Sequence, residues 1–218
     1  MTMSLKMCTV GVAMYSCCAG SSIASEVAIS LDPTQTTVWT RPVVDVNYGW
    51  QFTVNEPLAL THLGILDVVN INDMTPDGFH VAHDVGLYET AGTLLRWATL
   101  DQGESGLLVD NFRYAAVPEF ILQPGISYVV ASHYPATTPF NADLVISDIA
   151  AFGVHPSVNY GAAKFGLADS LALPLDAWDP DGIHPYLFGP NFLVVPEPGT
   201  VVLIGLGAIA VLRRRSQE

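Results

Sequence analysis

Between residues 26 and 195 the chain never sustains the 3.6-residue hydrophobic repeat of a long helix. Its apolar residues come in short runs rich in Val, Thr, Tyr, Trp and Leu, and Gly, Pro, Asn and Asp interrupt them. β-Branched and aromatic side chains fit a pleated, half-buried surface, so short runs between turn formers read as strands. The pattern places strands at 49–54, 58–67, 80–88, 94–100, 111–117, 119–122 and 127–133. Thr90-Ala91-Gly92-Thr93 reads as a tight turn, and Gln123-Pro124-Gly125-Ile126 has the Pro-Gly centre of a type II turn. Strands spaced by roughly 8–12 residues point to an all-β domain, a β-sandwich or jelly roll. Alternation puts Val81, Val85 and Leu87 on one face with His83, and sets Tyr128, Val130 and Ser132 against Val129, Ala131 and His133. Residues 167–175 read equally well as a short helix or a loop, and no internal repeat is present.

The body is strongly acidic. Residues 26–195 hold four basic side chains, Arg41, Arg96, Arg113 and Lys164, against 19 acids, a formal charge of 4 − 19 = −15. Such a surface repels phosphate backbones and excludes nucleic acid as a partner; it favours solubility and attracts divalent cations. The three cysteines, Cys8, Cys17 and Cys18, all precede residue 19, so the body has neither a disulfide framework nor a thiolate metal site. A domain of this length is stable on its core alone.

Both ends read as addresses. The N-terminus has Lys6, then an apolar stretch, then Ser22 and Ala24 at the small positions of a cleavage site, which is the pattern of a secretory signal peptide over residues 1–24 cut after Ala24. Tyr15-Ser16-Cys17, with Met14 before it, is a poor fit to a lipidated cysteine. At the other end Pro196-Glu197-Pro198 precedes an uncharged apolar run at 201–212, and Arg213, Arg214 and Arg215 follow. Arginines beside an apolar helix stay on the cytoplasmic side, which puts the body outside. Twelve apolar residues rise only ~18 Å against a hydrocarbon core of ~30 Å, so even with residues 199 and 200 the run suits a temporary tether. Within it, Gly205-Leu206-Gly207-Ala208-Ile209-Ala210 mimics a dinucleotide fingerprint but lacks the flanking strand and the distant acid.

The order Pro-Glu-Pro, short apolar helix, arginine cluster resembles the PEP-CTERM sorting signal of Gram-negative bacteria, over residues 195–215. The resemblance implies recognition of Pro196-Glu197-Pro198 by an exosortase, a membrane-embedded processing enzyme, and a setting of exopolysaccharide and biofilm production. The body also resembles an uncharacterised secreted β-sandwich domain of the DUF class, over about residues 45–150. The segments that carry this are Gly49-Trp50-Gln51-Phe52-Thr53-Val54, Gly86-Leu87-Tyr88 with Gly92-Thr93-Leu94-Leu95, Phe112-Arg113-Tyr114, and Pro124-Gly125-Ile126-Ser127-Tyr128-Val129-Val130. That resemblance implies a sugar-associated or adhesive module and brings no catalytic residues. Residues 70–79 and those after 150 fall outside it.

A search for chemistry yields few candidates. Gly103-Glu104-Ser105-Gly106 misses the nucleophile-elbow pattern by one place. His80 and His83, three apart on a strand, are expected to face opposite sides and not to share a metal. Asp176, Asp179 and Asp181 before Gly182 form the best calcium candidate, although no terminal glutamate completes an EF-hand loop; Asn72-Asp73 with Asp77-Gly78 is a weaker copy. Among the aromatics Trp39, Trp50, Trp97, Trp178, Tyr134 and Tyr186, the strand patterns assign Trp50 and Trp97 to the core, and loop-like sequence makes Trp178 and Tyr186 the ligand candidates. The chain is therefore read as a signal peptide (1–24), a β-sandwich (25–194) and a sorting segment (195–218) with its membrane helix at about 199–212. The product is a non-catalytic surface or matrix protein that passes through an inner-membrane precursor and then associates with polysaccharide or outer-surface components. A matrix-glycan hydrolase using paired carboxylates and a purely structural protein are the competing readings.

Overall fold

Strand β4 (Val46–Val54) lies deep in the fold because its two faces differ in kind. Tyr48, Trp50, Phe52 and Val54 point into the main core, whereas Asn47, Gly49, Gln51 and Thr53 alternate onto the opposite face. The computed structural model describes residues 25–31, 36–40, 44–68, 75–136, 143, 145–149, 152–178 and 187–196. The signal segment with Ala24, the apolar run, Arg213, Arg214 and Arg215 lie outside the described residues, as do Glu197, Pro198, Asp179, Asp181 and Tyr186.

Every regular element among the described residues is a strand. One sheet runs in the order β14 (Asp176–Ala177), β13 (Val158–Leu167), β4, β10 (Tyr128–Tyr134), β6 (His83–Glu89) and β7 (Leu94–Leu100). The other runs β1 (Glu26–Val27), β16 (Pro190–Pro196), β5 (Leu58–Leu66), β9 (Phe112–Leu122) and β8 (Leu107–Val109). All pairings in both sheets are antiparallel. Two small sheets add β15 (Leu187–Phe188), β11 (Val145–Ile149) and β3 (Thr36–Thr40), and β12 (Phe152–Val154) with β2 (Ile29–Leu31).

The two large sheets face each other across one core, which makes the domain a β-sandwich. Phe192 of β16 stacks on both Trp50 and Phe52 of β4, with ring centroids 5.6 and 4.7 Å apart. The Trp50 indole N–H donates to the Pro190 carbonyl at 2.8 Å, so the largest buried side chain bridges the sheets and keeps its polar atom satisfied. Asn191, fully buried, accepts N–H bonds from Ile29 and Phe192 at Oδ1 and donates from Nδ2 to the Ile29 carbonyl, which fastens β2 to β16.

Local chemistry explains the turns and one irregularity. Asp110 and Asn111 both take positive φ, 48° and 65°, which is the type I′ geometry of a two-residue hairpin between β8 and β9. Gly125 takes φ +81° at the third position of its turn, and the 90–93 turn closes through Glu89 N–H to Thr93 O and Gly92 N–H to Glu89 O. Strands expected separately at 111–117 and 119–122 are one strand, β9, in which Pro118 falls where the register with β5 shifts. Proline has no N–H to give the ladder, so it is tolerated at a bulge. Arg96 donates to the freed Pro118 and Glu119 carbonyls at 2.8 and 3.0 Å and lies over the Phe120 ring.

Beyond Leu167, where β13 ends, residues 168–175 form a loop and not a helix. Leu171 and Leu173 pack on Tyr88, Val129 and Ala131, the outward face of the six-stranded sheet. Asn47 clamps the segment, donating to Ser170 O at 2.9 Å and accepting from Ala172 N–H at 3.0 Å. Tyr128, Val130 and Tyr134 enter the main core, and Val129 and Ala131 lie under this strap, so β10 has two apolar faces, as its alternation indicates.

Candidate functional site

Three places carry side chains beyond what packing requires. The first lies at the end of the sandwich where β5, β7 and β10 finish and β6 begins. Asp143, buried, accepts from the His80 backbone N–H at 3.1 Å at both oxygens. Its Oδ2 is 2.8 Å from His83 Nε2, and its Oδ1 is 3.4 Å from His80 Nδ1. The expectation that His80 and His83 face apart is overturned. β6 begins only at His83, so His80 sits in the preceding loop, where the two-residue alternation of a strand does not apply. Asp143 is 60 positions from His83 in sequence, and nothing local links them.

His83 is fully enclosed. Its Nδ1 lies 3.0 Å from the His133 carbonyl, an acceptor, and its Nε2 faces the Asp143 carboxylate. Phe79 and Tyr134 pack against the ring at centroid distances of 5.2 and 4.8 Å. His80 is half-exposed and is the only member open to solvent. Nearby, burial holds the His133 imidazole below its ordinary pKa, with Asp45 and Asp84 opposing. Both histidines meet the Asp143 carboxylate, and among the described residues no three His, Cys, Asp or Glu side chains are arranged to hold a metal ion.

At the same end Asp67 and Arg113, both buried, pair through Arg113 Nε to Asp67 Oδ2 at 2.5 Å. Gly78 N–H donates to Asp67 Oδ1 at 3.0 Å, and Arg113 Nη1 donates to Glu104 O at 2.6 Å. The network pins the loops after β5 and β7 to β9. Burial pushes the Asp67 carboxyl up, and the Arg113 guanidinium opposes the shift. Asp77-Gly78 thus serves to cap Asp67, with Asp77 itself exposed.

The second place is the outward face at edge strand β7. Trp97, assigned to the core by its strand pattern, is 58 % exposed, a correction with a clear cause. Alternation fixes which face a residue takes, and both Trp50 and Trp97 alternate cleanly; Trp50 points inward from an interior strand and Trp97 outward from an edge. Trp97 pairs with Gly86, followed across the sheet by Ala131 and Gly49, so small residues adjoin the indole. A Cβ at Gly86 would stand 3.1 Å from Leu171 Cδ2 and 3.0 Å from Leu94 Cδ1, so glycine leaves the notch between them. Two residues along β7, Thr99 donates to Asp84 Oδ1 at 2.6 Å on the same face. Trp178, in contrast, is half-buried and meets Tyr48 and Phe165 edge-on at 5.4 and 5.9 Å. Asp176 is exposed in β14; its calcium partners Asp179 and Asp181, and the second ligand candidate Tyr186, fall outside the described residues.

The third place is the end of β16. Val194 is buried and pairs with Leu60, and Pro196 pairs with Leu58, so Pro196 closes the last strand of the sandwich. The fold therefore runs to Pro196 with no linker before Glu197. Residues 194–216 match the PEP-CTERM protein-sorting motif. The match covers Pro196, Glu197, Pro198, Arg213, Arg214 and Arg215, the residues that carry the linear pattern. The comparison with curated proteins finds no match. The motif marks an exported chain, a membrane-anchored precursor that an exosortase processes on its way to the cell surface.

Proposed function

We propose that this exosortase-sorted chain delivers a non-catalytic, polysaccharide-associated β-sandwich to the cell surface or extracellular matrix. The observation that carries the reading is Trp97, an indole on a regular sheet face, more than half exposed and beside the Thr99–Asp84 pair. An indole face is apolar and a sugar ring presents an apolar C–H face edged by hydroxyls, so a lone aromatic flanked by a hydroxyl and a carboxylate suits a sugar better than it suits an apolar partner. The formal charge of −15 over residues 26–195 directs the choice toward uncharged polymers, since uronate chains are repelled. His80 and Asp143 supply an exposed imidazole backed by a buried carboxylate, but the neighbouring His83 also engages that carboxylate, and a positioning role within the loops accounts for all three.

Affinity electrophoresis tests the reading. The processed protein is expected to be retarded in gels cast with an uncharged polysaccharide, to leave the polymer intact, and to migrate freely in gels cast with alginate. Trp97→Ala should abolish the retardation without lowering the unfolding temperature. Retention of full retardation by that variant would remove Trp97 from the site, and release of reducing sugar by the wild-type protein would favour the hydrolase reading. For sorting, replacing Pro196, Glu197 and Pro198 by alanine is expected to leave uncleaved precursor in the inner membrane; normal release of that variant would contradict recognition at Pro-Glu-Pro.

A further inference from the structure

We infer that in the tethered precursor the sandwich stands on the bilayer by the end that carries Pro196, with its acidic loop end turned outward. The inference rests on the sorting reading, and it concerns which surface of this domain meets the lipid. Four residues separate Pro196 from Val201, the first of the apolar run, a reach of at most ~17 Å even fully extended. β4 spans nine residues, about 30 Å, so the two ends of the sandwich cannot both be near the membrane.

Strand register defines what lies at the Pro196 end. Pro196 pairs with Leu58, and Leu58 with Leu122. The connections that begin or end there are short: residues 55–57 join β4 to β5, 90–93 join β6 to β7, 123–127 join β9 to β10, and 155–157 lead into β13. Among these, Glu56 is the only acid, and it accepts a hydrogen bond from the Ser157 hydroxyl. Glu89 ends the adjoining strand, and Glu26, near this end on β1, is 3.1 Å from His155 Nε2. Exposed Ile126 projects from the 123–127 turn.

The opposite end is built differently. It carries the connection 101–106, the described residues 67–68 and 75–82, Pro135 and Ala136, and the start of the strap, where Ser170 meets Asn47. Exposed acids Asp77, Asp101, Glu104, Asp110 and Asp169 all lie there, and Arg113, the cation beside them, is buried against Asp67. Like charges repel within about a Debye length, ~8–10 Å, so an anionic lipid surface disfavours the loop end, with its five exposed acids, more than the Pro196 end, where Glu26, Glu56 and Glu119 are the exposed ones. Tether position and charge distribution, which are independent features, select the same end. The result is that the long loops, with half-exposed His80, are held away from the lipid before release.

Energy transfer to lipid in the full-length chain tests this. Cys8, Cys17 and Cys18 are replaced by alanine, one donor dye is placed at Ala91→Cys or Ser105→Cys, both exposed positions, and the chain is reconstituted into vesicles with headgroup-labelled acceptors. Transfer from position 91 is expected to exceed that from position 105 by about twofold or more, because the ends lie roughly 25 Å apart. Equal or reversed transfer, in a chain that floats with the vesicles, overturns the orientation and leaves the tether standing. A chain that fails to float overturns both. Adding Thr90→Glu and Gln123→Glu should reduce transfer from position 91 in phosphatidylglycerol vesicles and not in phosphatidylcholine vesicles; an equal effect in both would remove charge from the explanation.

Discussion

Replacing Arg113 by methionine isolates the buried pair that organises the loop end. The guanidinium is nearly inaccessible and so is the Asp67 carboxylate. Methionine fills much of the same volume, so the loss is electrostatic. The variant forfeits the bond to Asp67 and the bond to Glu104 O, and it strands a carboxylate held only by the Gly78 N–H. Breaking one side of a buried ion pair typically costs about 3–5 kcal/mol, a large part of a domain's total stability. Urea unfolding at pH 7 measures it. The sign with pH is also fixed. Burial already raises the Asp67 carboxyl in the native protein, and removing Arg113, the main opposing influence, raises it further. A carboxyl with a raised folded pKa is more easily protonated folded than unfolded, so the destabilisation is smallest in acid and grows as pH rises through the folded value. Arg113→Met should therefore lose less stability near pH 4 than near pH 7. Asp67→Asn added to Arg113→Met should recover part of the loss at pH 7, since it removes the stranded charge. A cost under ~1 kcal/mol at pH 7, or no recovery in the double variant, would show that the pair does not govern this end of the sandwich.

Asn191→Ala removes both partners of Ile29 and one partner of Phe192 in a fully buried site, and a loss of about 2–4 kcal/mol is expected by denaturant unfolding, with earlier proteolysis near β2. Burial holds the His62 and His133 imidazoles below their ordinary value. Both rings stay neutral in the fold at pH values where the unfolded chain binds protons, so their contribution to stability is full above pH ~6.5 and declines as pH falls toward the folded values. His133→Gln should flatten that decline in thermal melts between pH 7 and 5. Trp178→Ala should lower the unfolding temperature through lost contact with Tyr48 and Phe165, whereas Trp97→Ala should leave it nearly unchanged.

Much of the fold is legible because its signals are local. The turn at 123–126 follows from Pro-Gly, and the two faces of β10 follow from alternation alone. Strand 94–100 appears with the bounds its composition suggests. β9 was harder to read because Pro118 normally ends a strand, and only the register shift opposite β5 lets it stay inside one. The 168–175 segment shows no periodicity because Asn47, more than 120 positions away in sequence, and the outer face at Tyr88, Val129 and Ala131 hold it in place.

The sorting signal is the part that sequence alone determined. Its order of Pro-Glu-Pro, apolar run and arginines is contiguous, and membrane partition depends on summed hydropathy and charge along a segment, with no partner needed from elsewhere in the chain. Tertiary structure decided the rest. Trp50 and Trp97 have equivalent strand patterns, yet one bridges two sheets and the other faces outward at an edge, because exposure depends on which strands become neighbours. His80 and His83 meet at Asp143, and Asp67 meets Arg113, only after strands distant in sequence have paired. The tertiary structure also placed Pro196 at the end of a core strand, and so turned a sorting tag into a statement about which end of the domain faces the membrane.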